Sequence, residues 1–149
     1  RSQVPVWAKL SANTDRIVEV ATTVSDAGAS AVTVMNTMLG MQIDVRTSRR
    51  SLGNGGGGLS GPAIRPIAVR AVHDIRVALP ELAIVGVGGI ASGDDAIEMM
   101  MAGASAVQVG TASFARPDAT WRIARSAASR AHALGATSWS TIVNAVHRV

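Results

Sequence analysis

Residues 83–112, AIVGVGGIASGDDAIEMMMAGASAVQVGTA, decide the fold. Two short apolar runs, Ala83 to Val87 and Ala106 to Val109, bracket a stretch with helical spacing. Neither run alternates with polar residues, and near-continuous apolarity is what a strand covered on both faces requires. Between them, Asp94 to Ala102 puts Ile97, Met100 and Met101 on a helical face and stops at Gly103. Glycine is a natural residue just past a helix end. Asp94 and Asp95 read as helix-capping residues. Strand, helix and strand joined this closely predict a parallel pair with a helical crossover.

The same unit recurs outward in both directions. Val4 to Leu10 and Ala31 to Met35 are further apolar runs bounded by polar or glycine residues. Asp15 to Ala27 carries Ile17, Val18, Ala21 and Val24 on one face before Gly28. Ala63 to Leu79 carries Ile67, Ala71, Ile75 and Leu79, with Pro62 and Pro66 near its start, where proline is tolerated. Thr120 to Leu134 carries Ile123, Ala127 and Ala131 and stops at Gly135; a last helix is predicted over Ser140 to Val146. The order β-α-β-α-β-α-β-α predicts an α/β fold with a parallel sheet. Residues 27–32 and 102–107 both read AGASAV, as matching helix-to-strand turns in a repetitive β/α chain would; coincidence in an alanine-rich sequence is the alternative. The connection from Asn36 to Leu59 is the outlier, holding Arg46, Arg49, Arg50 and the run Gly55 to Gly58. A loop of this length reads as a lid or binding loop, or else as a disordered insertion.

Composition narrows the function classes. The 149 residues are 48% hydrophobic and only 16% charged, with no cysteine. That excludes disorder, a disulfide framework, thiolate metal sites and a cysteine nucleophile within these residues. No apolar run has membrane-spanning length and no leader opens the chain, so a cytoplasmic protein is expected. The net charge of +4 comes from thirteen scattered arginines and one lysine, Lys9. Nucleic-acid binding would want a dense basic face with aromatic platforms, and the aromatics here are only Trp7, Trp121, Trp139 and Phe114. His73, His132 and His147 lie in helical patterns without metal-ligand spacing, and no metal is expected.

In β/α folds the ligand sits at the carboxyl ends of the strands. Here those ends read Lys9, then Asn36 and Thr37, then Gly88 and Gly89, then Gly110 and Thr111. All four strands turn from apolar to polar or glycine at the same end, which points to one shared site. Glycine pairs let backbone amides approach a phosphate, and the loops after the last two strands of an eight-stranded barrel often do this; tight turns are the plainer use. Lys9, after Val6-Trp7-Ala8, is expected to be part-buried and to face an anion, or to snorkel to water. Asn36 and Thr37 suit a polar planar ligand or serve as turn caps.

The strings PVWAKLSAN (5–13), VTVMNT (32–37), GGLSGPAIRPIAVRAV (57–72), VGVGGI (85–90) and MMMAGASAVQVGTASF (99–114) resemble dihydroorotate dehydrogenase, class 1, most of all its NAD-linked type. GGLSGPAI is the most specific of them. The resemblance implies the C-terminal half, strands five to eight, of a TIM (β/α)₈ barrel. It implies FMN as cofactor and oxidation of dihydroorotate to orotate in pyrimidine synthesis. The position of Lys9 would stabilise the reduced flavin anion, and Met35 and Gly61 would contact the cofactor. Gly88, Gly89, Gly110 and Thr111 would hold its phosphate, while Asn36 and Thr37 would bind substrate. The implied assembly is a homodimer with an electron-transfer subunit carrying FAD and an iron–sulfur cluster and using NAD.

Two departures accompany the resemblance. Ala12 stands where the family usually has proline, and the chain matches only half of a barrel of about 250 residues. The family's general base, a cysteine, lies on a loop before the fifth strand, so residues 1–149 read as one partial domain without that base. The pyrimidine-reducing domain of dihydropyrimidine dehydrogenase is a second reading, and a non-catalytic phosphate-binding half-barrel is a third.

Overall fold

The computed structural model describes residues 2–148. Four strands, β1 (Trp7–Leu10), β2 (Ala31–Val34), β7 (Ala83–Val87) and β8 (Ala106–Gln108), form one parallel sheet in the order β1-β2-β7-β8. Register runs Trp7 to Ala31 to Ala83 and Val85 to Ala106, so all four strands end on the same side. The helices α1 (Ile17–Asp26), α2 (Arg65–Ala78), α3 (Gly93–Met101) and α5 (Ala119–Ala133) pack on one another in chain order. Their apolar stripes meet the sheet at Val32, Val34, Val72, Ile75, Ile84 and Met99, all fully buried. The region is thus mixed α/β with a parallel sheet, as the apolar runs predict.

Coverage differs along the sheet. β2 is buried at every position, Thr33 included, as its near-continuous apolar run requires. β1 and β8 are the edges and stay largely open, with Trp7 57% exposed and Ala106 and Gln108 exposed. The apolar run at Val4 becomes a strand only from Trp7, because β2 offers it partners only from there.

Three local expectations are corrected. Residues 36–59 are not a plain loop but two nested hairpins: β3 (Met38–Gly40) pairs with β6 (Gly57–Leu59), and β4 (Ile43–Asp44) pairs with β5 (Arg49–Arg50). Glycines with no side-chain pattern to read form half of the outer ladder. The predicted helix over Ser140 to Val146 is instead two 3₁₀ turns, Trp139–Thr141 and Ala145–Arg148. Asn144 between them has φ 61°, outside the helical region, and the Thr141 hydroxyl donates back to the Ser138 carbonyl at 2.7 Å. A short helix α4 (Ala112–Ala115), which the spacing does not foretell, follows β8.

Candidate functional site

The carboxyl ends of the four strands wall a cavity of about 340 Å³. Lys9 reaches it from β1; Met35, Asn36 and Thr37 from the end of β2; Gly61 from the turn before α2. Gly88 and Gly89 enter after β7, and Gly110 and Thr111 after β8. The nine candidate residues, scattered over a hundred positions of sequence, therefore line one space. Parallel pairing brings them together, since each strand delivers its last residue to the same level.

The β2 end is pinned tightly. The Met35 amide donates to the Val87 carbonyl at 2.8 Å, and the Asn36 amide to the Leu10 carbonyl at 2.9 Å. Asn13, from the loop after β1, then clasps the next residues. Its Nδ2 donates to the Thr37 carbonyl at 2.9 Å, and its Oδ1 accepts the Leu39 amide at 2.7 Å. This clasp holds the polar pair at the cavity mouth. Asn13 closes the string PVWAKLSAN, but spacing alone gave no reason to link it to Thr37.

Electrostatics favour an anion. Lys9 is the single charged side chain among the lining residues, so no carboxylate opposes it. Its side chain is exposed rather than part-buried. The correction follows from its strand: β1 is an open edge, and none of the described strands pairs with its outer side. The amides of Gly89, Gly110 and Thr111 have no hydrogen-bond partner among the described residues. A Cβ on Gly110 would meet nothing within 4 Å, so the space beside this amide is free for a ligand. Gly89 is glycine for a different reason. It has φ +71°, and a Cβ there would come within 2.6 Å of the Arg65 Cβ and 2.9 Å of the Gly61 carbonyl oxygen. The two glycine ends therefore divide the work: one lets the loop nest against the start of α2, the other leaves room. Free amides converging on a space with one cation are a phosphate-type environment.

The sequence model of the dihydroorotate dehydrogenase family matches residues 1–130. The chain belongs to the dihydroorotate dehydrogenase family. Relatives named dihydroorotate dehydrogenase B (NAD(+)), catalytic subunit, from Bacillus cytotoxicus and Bacillus thuringiensis, are each 51% identical over 116 residues, 78% of this chain. The match spans 37% of the length of those curated relatives.

Ser60 and Gln108 also line the cavity of this dihydroorotate dehydrogenase family member and were not singled out beforehand. Gln108 is the polar residue inside the last apolar run, a signal the sequence carries. A larger groove of about 890 Å³ lies on the outer helical side, between α2 and α3. Its floor is Val69, Ile97, Met101 and Leu134, and its charges pair with one another, Arg65 Nε with Glu98 at 3.0 Å and Arg130 Nε with Asp94 at 3.0 Å. Size notwithstanding, it lies away from the strand ends and its charged groups are paired among the described residues, so the smaller cavity is the candidate site. No helix of the described residues is long and apolar enough to cross a membrane.

Proposed function

We propose that this chain is the strand five-to-eight half of a (β/α)₈ flavoprotein that oxidises dihydroorotate to orotate, and that the cavity at the strand ends holds FMN and substrate. The observation that carries the reading is the convergence of Lys9, the Asn36-Thr37 pair and the free amides of Gly89, Gly110 and Thr111 on one space. The open edges of β1 and β8 support the barrel: a four-stranded parallel sheet exposed at both sides needs further strands to close.

The residues present fit a flavin phosphate. Amides without internal partners donate to phosphate oxygens, and the space beside Gly110 lets the group approach. Bound FMN supplies the two-electron acceptor that no side chain here provides. Lys9 places a compact positive charge where negative charge would develop on the reduced flavin. Asn36 and Thr37 offer neutral donors and acceptors to the planar pyrimidine, held in place by the Asn13 clasp. Met35, buried at the end of β2 and lining the cavity, would offer the ring an apolar contact. The proton at substrate C5 passes to a base outside residues 1–149; the family resemblance makes that base a cysteine on a preceding loop. The relatives' printed name, a catalytic subunit of an NAD(+) enzyme, supports a separate electron-transfer subunit; FAD and an iron–sulfur cluster as its carriers, a homodimeric catalytic core and a cytoplasmic location are proposed on the family resemblance alone.

The test completes the barrel. Residues 1–149 are fused behind the N-terminal half of the Bacillus cytotoxicus relative and the purified product is examined by absorbance. Retained yellow colour that bleaches on adding dihydroorotate without oxygen supports the reading. Bleaching by dihydrouracil, which becomes uracil as the flavin is reduced, and none by dihydroorotate, moves the chain to the dihydropyrimidine dehydrogenase reading. Lys9→Ala should leave the colour and slow bleaching by roughly a hundredfold or more, the scale of losing one preorganised charge-stabilising group.

A further inference from the structure

We infer that Asp95, acting through Arg65, is the positioning residue that holds the phosphate-binding loop in register, an inference that rests on the flavin-phosphate reading above. Read from sequence, Asp95 is a helix cap, and it does fill that role. The Ser92 side chain accepts the Asp95 amide at 3.2 Å, and Asp95 Oδ2 accepts the Ser92 amide at 2.9 Å. Capping uses one carboxylate oxygen. The same Oδ2 also accepts the Ala91 amide at 2.9 Å, and Oδ1 takes the Arg65 guanidinium from a different helix. Asp95 is 9% exposed, whereas its neighbour Asp94 forms an exposed pair with Arg130 and makes no side-chain hydrogen bond to the loop among the described residues.

Arg65 closes a circuit. It opens α2 directly after the turn that carries Gly61, and its stem lies where a Cβ on Gly89 would be, 2.6 Å away. Its head holds Asp95, and Asp95 holds Ala91 and Ser92. The loop from Gly88 to Ala91 is thus gripped at its middle by the Arg65 stem and at its end by the carboxylate that Arg65 pairs with. Gly89 presents its free amide from inside that grip. An aspartate is needed because only an ionised carboxylate accepts two amides on one oxygen and a guanidinium on the other. Asparagine keeps one oxygen for the amides and turns a donor toward Arg65, which separates capping from pairing.

The experiment compares FMN with riboflavin, which has the same ring system and no phosphate, by flavin fluorescence quenching on the barrel-completed protein. In Asp95→Asn, FMN affinity should fall roughly tenfold or more while riboflavin affinity stays within about a factor of two, the scale of a lost charged hydrogen bond acting on phosphate geometry alone. Arg65→Gln should match it, Arg65→Lys should recover part of the loss, and the double variant should be no worse than either single one. Arg65 is a third exposed, so this second variant tests the pair even if Asp95→Asn unfolds. Equal losses for both flavins, or an unchanged FMN-to-riboflavin ratio, overturn the inference and leave Asp95 a cap. A wild-type protein that does not prefer FMN to riboflavin overturns the phosphate reading itself, and the inference falls with it.

Discussion

Residues 27–32 and 102–107 are the same six residues, and they fold into the same turn. The amides of Ala27 and Ala102 donate to Thr23 and Glu98, each at 3.0 Å; those of Ala29 and Ala104 donate to Val24 and Met99 at 3.0 and 3.1 Å. Ser30 and Ser105 then bond to the preceding strand, to Val6 and Ile84, both at 2.8 Å. Gly28 and Gly103 both take positive φ, 97° and 126°. Yet burial is reversed between the copies. The first turn is open at Ala27 and Gly28 and leads into a fully buried strand; the second is buried from Ala102 to Ala104 and leads into an exposed edge. Local sequence determines the turn, and what packs against it determines what it costs to change.

The largest expected effect falls on the residue that creates the difference. Arg76 is 7% exposed and donates from Nε and Nη2 to the Gly103 carbonyl at 3.1 and 2.9 Å, and from Nη1 to the Pro80 carbonyl. Burial pulls its pKa below the ordinary arginine value, an effect that Glu81 partly offsets. No counterpart lies under Gly28. Arg76→Met should cost about 3 to 4 kcal/mol by urea unfolding, since two carbonyls lose a charged donor. A loss below about 1 kcal/mol would mean that water replaces the guanidinium easily and that the second turn is not buried in solution. Next come the two glycines. Gly28→Ala meets open space and should cost about 1 kcal/mol for its backbone conformation. Gly103→Ala would put a Cβ 2.6 Å from that of Arg76 and should cost about 2 to 3 kcal/mol. Equal costs would break the comparison.

This contrast also marks how far the sequence could be read. The four parallel strands and the four long helices follow from apolar runs and helical spacing, because those patterns are local. The convergence of the strand-end positions on one cavity was legible for a related reason. Each strand changes chemistry where it ends, and parallel pairing collects the ends without further information. The partners that hold them were not legible. Asn13 clasping Thr37, Asp95 reaching Arg65 and Arg76 reaching Gly103 join residues between 24 and 30 positions apart through side-chain direction, which spacing does not encode. Lys9 was misjudged on the same ground, since its exposure depends on where its strand falls in the sheet, and β1 is an edge.

The smallest effect concerns what supports the second turn from the C-terminal side. His147 Nε2 donates to the Ala102 carbonyl at 3.0 Å, and its ring stacks on His73 at 4.7 Å. Asp74 completes the group, with Oδ1 3.2 Å from His73 Nδ1 and Oδ2 accepting Arg70 Nε at 3.0 Å. Burial alone would raise the Asp74 pKa; the hydrogen bonds from His73 and Arg70, together with their charge, outweigh it and leave the carboxyl below its ordinary value. A carboxyl that ionises more easily folded than unfolded stabilises the protein above the unfolded pKa of about 4, and that contribution disappears as pH falls through the lower folded value. Its side chain is 35% exposed, so screening limits the contribution to about 0.5 kcal/mol or less. Asp74→Asn should therefore be slightly less stable than wild type near neutral pH, and the gap should close in acid. Urea unfolding of both proteins across that range checks the sign. A gap that persists in acid would assign the support of the second turn to the stacked histidines and the His147 bond, with the Asp74 charge contributing nothing.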